Sequence, residues 1–176
     1  MLRSLLSYAL LLLITAAQTL GQPSLQYDAP DAWLERPTNS PMRVTEFQLP
    51  KVPGDAEDGE LVVFYFGGGG GSVEANLERW VNQMEQPDGR SSFEVASTTG
   101  FDANGLDVTL LEVPGTYVAA VTPGSPTRLN KPQFRLLAAV VETPGGPYFF
   151  KLTGPNRTVS RWENPFITFL RSVRVQ

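Results

Sequence analysis

The 176-residue chain contains neither histidine nor cysteine. Ser-His-Asp and Cys-His triads, imidazole general bases and thiolate nucleophiles are therefore excluded. The usual zinc, copper and haem ligands go with them, and no cofactor is expected. Only carboxylate, lysine, tyrosine and hydroxyl chemistry remains. Without cysteine there are no disulfide staples, so packing alone must hold the fold. A lipid anchor on an N-terminal cysteine is ruled out as well. Positive charge is also scarce: 14 Lys and Arg stand against 18 Asp and Glu. That weakly acidic, dispersed balance argues against nucleic acid or an anionic membrane surface as partner.

What is present begins with "MLRSLLSYALLLLITAAQTLGQ". A lone Arg3, an apolar run from Leu5 to Ala17 and a small, polar tail follow the order of a secretory signal peptide. The run is shorter than the roughly 20 residues of a spanning helix. We assign residues 1–21 to a signal peptide, with cleavage after Ala17 or Gly21, and expect no membrane span after its removal. The rest then carries 13 cations against 18 acids, a charge of −5. Residues 22–41, rich in Pro and polar residues, are expected to be an arm anchored by Trp33. Residues 42–176 suit a single domain with a real core.

Strand patterns are read at Met42–Leu49, Leu61–Phe66, Ser92–Thr98, Leu106–Val113, Gly115–Val121, Gln133–Thr143 and Tyr148–Gly154. Between most of them stand the turn signals "DANG", "PG", "TPGSP" and "PGGP". Such short connections imply antiparallel pairing. Val73, Leu77, Trp80, Val81 and Met84 make one apolar helical face, with Ser72 as N-cap and "PDG" at Pro87–Gly89 as stop. A second helical pattern, Val159 to Val173, contains Asn164-Pro165, read as two short helices or one kinked helix. The expected class is α+β: an antiparallel sheet of about six to seven strands, one crossing helix and a C-terminal helix.

The run Gly67, Gly68, Gly69, Gly70, Gly71 joins a strand to the crossing helix, where a phosphate loop would sit. It carries no lysine, and Ser72 takes the third fingerprint position. Glu74 and Glu78 in the first two turns would repel a phosphate. What remains is either a flexible connection or close backbone approach by a partner. Behind it Ser72, Asn76, Arg79 and Gln83 share one helical stripe. Such a stripe can hold a ligand or hydrogen-bond a neighbouring loop. Gly67–Gly71 with Asn76, Arg79 and Gln83 form the candidate binding region, with Lys151 and Arg135 as further candidates nearby. Phe101–Asp107 lacks the order of a calcium loop and reads as a turn. Asp55–Glu60 reads as a solvated acidic loop. Glu112, Glu142 and Glu163 are the carboxylates a glycosidase pair could draw on.

The segments "APDAWLERP", "MRVTEFQLP", "GGSVEANLERWVNQM", "GTYV", "RLLAAVVETPGGPYFFKLTGPNRTV" and "FITFLRS" together resemble a family of small, exported bacterial proteins. The resemblance covers nearly all of the chain after the leader, and the N-x-x-RW-x-x-Q helix and FFKLTGP are its most specific parts. Its layout is similar to the PsbP-like fold, whose members mostly act as non-catalytic accessory or binding proteins. The family carries no established activity; together with the missing catalytic side chains and the glycine loop, the resemblance leads us to expect an exported, periplasmic or secreted, non-enzymatic protein that binds an envelope protein or a small ligand. The alternatives are a carboxylate-dependent hydrolase of envelope glycans and a structural envelope component.

Overall fold

A computed structural model describes residues 24–176; the expected signal peptide and the start of the arm lie outside the described residues. The elements run β1 (Leu25–Gln26), β2 (Leu34–Arg36), β3 (Arg43–Leu49), β4 (Gly59–Tyr65), α1 (Val73–Val81), β5 (Met84–Glu85) and α2 (Ser92–Val95). They continue with β6 (Ser97–Ala103), β7 (Leu106–Tyr117), β8 (Lys131–Val141), β9 (Tyr148–Pro155), α3 (Asn156–Ser172) and β10 (Arg174–Val175).

The protein is α+β, built on one 8-stranded antiparallel sheet in the order β2-β3-β4-β9-β8-β7-β5, with β6 also on β7. The count exceeds the sequence expectation because polar segments add strands. In β6, Ser97 to Gly100 are all exposed, so no apolar alternation announces it. Its turn to β7 is Asn104-Gly105, with φ of 55° and 83°, the dipeptide that a two-residue hairpin loop favours. Asn104 also reaches α3, donating to the carbonyls of Arg171 and Val173.

Three sequence expectations are corrected, and one choice left open by the sequence is decided. Ser92–Val95 is a short helix rather than a strand: Ser91 caps it, and Ser92, not Phe93, is the buried residue. The Ser92 hydroxyl donates to the Met84 carbonyl at 2.7 Å. Helix α1 ends at Val81 rather than at the PDG turn, because Met84 and Glu85 pair with Tyr117 and Thr116 of β7. Leu106–Val113 and Gly115–Tyr117 form one continuous strand, irregular at Gly115. The C-terminal helix is single, and it runs through Pro165. A proline inside a helix removes one rung, but Trp162, Phe166 and Phe169 on either side are all buried in the core.

Each face of the sheet packs its own core. One face carries Leu61, Val63, Leu137, Phe150 and Leu152 beneath α3 and the N-terminal arm, whose Trp33 is 5% exposed. The other carries Leu111, Val113, Leu136, Val140 and Phe149 beneath Trp80, Val81 and Met84. This second core draws on β7, β8 and β9 but on nothing from β3. The part of that face formed by β2 and β3 is left open, with Leu34 and Val44 exposed, while Val62 and Phe64 of β4 lie at its covered edge.

Candidate functional site

The glycine run leaves β4 after Tyr65 and enters α1 at Val73. Gly67, Gly68, Gly70 and Gly71 have φ of 63°, 85°, 106° and 87°, a region that side chains other than glycine enter at a cost. A Cβ on Gly70 would lie 2.7 Å from the Phe149 ring, and one on Gly146 would lie 2.3 Å from the Gly68 Cα. The close backbone approach is thus made by the chain's own β8–β9 hairpin, "TPGGP". The Tyr65 hydroxyl fixes that contact, donating to the Gly145 carbonyl at 2.6 Å.

The stripe behind the loop divides into two roles. Ser72 caps α1, its hydroxyl accepting from the Ala75 amide. Asn76, 1% exposed, donates to the carbonyls of Gly70 and Ser72, both at 2.8 Å. It is the brace that holds the glycine loop against the helix, and its own carbonyl oxygen accepts from Arg79. Gln83 looks the other way. Its side-chain oxygen accepts from the Lys151 ammonium at 2.5 Å, and that ammonium also donates to the Tyr117 hydroxyl at 2.8 Å.

Lys151 was legible as a candidate, but its setting was not. The strand register runs Arg36, Glu46, Val62, Lys151, Ala138 and Leu111 across one row of the sheet. Lys151 therefore stands where the open half of the face passes beneath α1. Burial lowers its pKa to about 8; nearby Glu60 opposes the shift, while Arg79 and Arg43 add to it. Tyr117 is pushed up to about 12, by burial first and then by Glu60. Among the described residues neither Lys151 nor Arg79 has a carboxylate in ion-pair contact.

Arg135 does not join this group. It lies three residues before Ala138 on β8, hence on the opposite face. There its guanidinium meets both Glu112 and Glu163 and donates to Ser160. The two glutamates are brought together, but as the jaws of a clamp that fastens α3 to β7 and β8. Glu142 sits at the far end of β8, with its amide bonded to the Asp107 carbonyl. The acidic loop is more than solvated. Asp55 accepts from the amide and hydroxyl of Thr158 at 3.0 and 2.6 Å, and so caps the start of α3. Asp58 accepts from Gln48 and the Lys51 amide, which hold its carboxyl below its usual pKa. Glu57 pairs with Lys131 at 2.6 Å.

Two hollows flank these features. A cleft of about 800 Å³ lies at the sheet end near Gln86, Gly115, Phe134 and Asn156. Its polar groups are largely engaged: Gln86 holds Ser92 and the Pro114 carbonyl, while Asp55 and Arg157 hold the α3 turn. A smaller hollow of about 360 Å³ is lined by Arg36, Glu46, Gln48, Asp58 and Glu60 of β2, β3 and the start of β4.

No protein-family profile and no curated protein sequence matches the chain. Solved structures do, and the fold is PsbP-like. Cyanobacterial PsbP (CyanoP) from Synechocystis sp. PCC 6803 aligns with a TM-score of 0.51 at 16% identity, over 93% of this chain and 99% of that one. PA94, a protein of unknown function from Pseudomonas aeruginosa, aligns at 0.52 and 14% identity over 89% and 99%. LpqN, involved in cell envelope biogenesis of Mycobacterium tuberculosis, aligns at 0.56 and 11% identity over 91% and 87%. At such identities the likeness shows the fold alone.

Proposed function

We infer that the chain is an exported, non-enzymatic binding or accessory protein that holds its ligand on the open half-face of the sheet beside α1. One observation carries this reading: Lys151 is hydrogen-bonded to Gln83 and Tyr117, within the electrostatic reach of Arg79, at the border between the covered and open parts of the face. A desolvated ammonium is costly, and perturbed groups of this kind concentrate at functional sites. The candidate region thereby contracts. Asn76 and the glycines belong to the scaffold, whereas Arg79 and Gln83 stay with the site.

Export is supported by the leader-like N-terminal run. Among the described residues no helix is long and apolar enough to cross a membrane. An envelope location is also in keeping with the described role of LpqN.

The test is affinity capture from an envelope fraction with the wild type and an Arg79→Ala/Gln83→Ala double variant. Loss of a specific captured species with a melting temperature within about 2 °C of wild type supports the reading. Unchanged capture, or a collapse of stability that makes the stripe structural, overturns it.

A further inference from the structure

We propose that the donor cluster around Lys151 receives a single carboxylate, the anionic end of the ligand that the open half-face is inferred above to hold; the proposal rests on that reading. The argument starts from a count of donors and acceptors. Two hydrogens of the Lys151 ammonium go to neutral oxygens, those of Gln83 and Tyr117, and among the described residues the third has no acceptor. Tyr117 accepts from the ammonium and so keeps its own hydroxyl hydrogen for another oxygen. Gln83 offers its carbonyl to Lys151, which leaves its NH₂ unspent. Arg79 uses one N–H on Asn76, and the rest of its fork is open. Among the described residues the spare donors of Lys151, Tyr117 and Gln83 thus meet, with the exposed Arg79 as a further cation beside them, and an oxyanion is the group that accepts from such a set.

Charge selects the kind of oxyanion. The cations facing Lys151 are Arg79 from α1 and Arg43 from β3; the acids are Glu60 from β4 and Glu46, already paired with Arg43. Three cations against two carboxylates leave one net positive charge, enough for a monoanion. A phosphate dianion would meet Glu60 without compensation. The hollow that Glu60 lines gives the rest of such a ligand room along β3 and the start of β4.

The experiment is an NMR titration of the purified protein at pH 7 and fixed ionic strength, with sodium acetate, acetamide and inorganic phosphate as separate probes. Acetate is expected to move the signals of Lys151, Tyr117 and Gln83 saturably, with a Kd on the order of millimolar. Acetamide should leave them in place, and phosphate should bind about fivefold more weakly or worse. Lys151→Met is expected to weaken acetate about tenfold, and Arg79→Gln about threefold, as a second arm should the first variant not fold. Raising the pH from 7 to 9 through the Lys151 titration should weaken acetate in the wild type but not in Lys151→Met. No saturable shift with acetate, equal shifts with acetamide, tighter phosphate, or acetate affinity unchanged in both variants would each overturn the proposal. If acetate fails while capture still depends on Arg79 and Gln83, the carboxylate is wrong and the open-face reading stands; if both fail, both readings fall.

Discussion

On one face of the sheet Phe169 touches five aromatic rings, those of Tyr27, Trp33, Phe47, Phe150 and Phe166. On the other face Lys151 stands beside a smaller apolar core, flanked by a glutamine and a tyrosine. Both faces belong to the same strands, so neighbouring residues Phe150 and Lys151 serve opposite ends. The first face is closed by a 17-residue helix and the arm, the second by a 9-residue helix that packs on β7 and β8 and sets Trp80 against Phe149 of β9. The difference teaches where stability is made and where it is given up. A face optimised for packing alone would not set an ammonium between a glutamine and a tyrosine at its border.

Five changes probe the contrast, and they differ in size of effect. Phe169→Ala should cost about 3–5 kcal/mol in urea unfolding, since it opens a cavity among five rings. Gly146→Ala comes next, at about 2–4 kcal/mol, because its Cβ would overlap the Gly68 backbone at a φ of 109°. Gly67→Ala, at positive φ but in open space, should cost only about 1 kcal/mol. A similar loss at both glycines would break the claim that the hairpin, rather than flexibility, explains the run.

The fourth change is in pH. An unfolded lysine titrates at 10.5 and Lys151 in the fold at about 8. Between those values the unfolded chain holds the extra proton, so stability rises with pH across that window. Tyr117 acts in the opposite sense: its pKa rises from 10.0 to about 12, so the folded state keeps the proton and stability falls from pH 10 to 12. Tyr27 and Tyr148, both raised chiefly by burial, add to the fall. Unfolding free energy should therefore climb from pH 8, by on the order of 1–2 kcal/mol, and turn over near pH 10. Lys151→Met should remove the climb while losing no stability at pH 7. A climb that survives in this variant would show that Lys151 is not the group responsible. The smallest effect is expected for Arg79→Gln, within about 0.5 kcal/mol of wild type.

Much of this contrast could be read from the residues. The alternation in β3, the apolar runs of β4, β8 and β9, and the i, i+4, i+7 pattern of α1 are local signals, and the fold class follows from them. Strand β6 and helix α2 were not legible, because their residues are polar and their pairing is set by β7 and by the Met84 carbonyl. For the site, helical spacing placed Arg79 and Gln83 on one stripe. It could not supply their partners. Lys151 and Gln83 are 68 residues apart, and Lys151 and Tyr117 are 34 apart. Only the register of β4, β9, β8 and β7 brings them together. The same distance hid the capping of α3 by Asp55, 103 residues before Thr158. The five glycines drew attention by composition, yet their explanation lies in a hairpin nearly eighty residues on: the contact from Tyr65 to Gly145 spans 80 positions.

The central claim is that the ligand or partner sits on the open half-face. Leu34, 52% exposed, stands on that side of the sheet, and Asn164 stands exposed on α3 over the other. A photoreactive amino acid at each position, irradiated in intact cells, compares the two faces directly. A discrete adduct is expected from position 34 and not from 164, and Lys151→Met should abolish it. An adduct from position 164 alone, or one from 34 that is indifferent to Lys151, would contradict the claim.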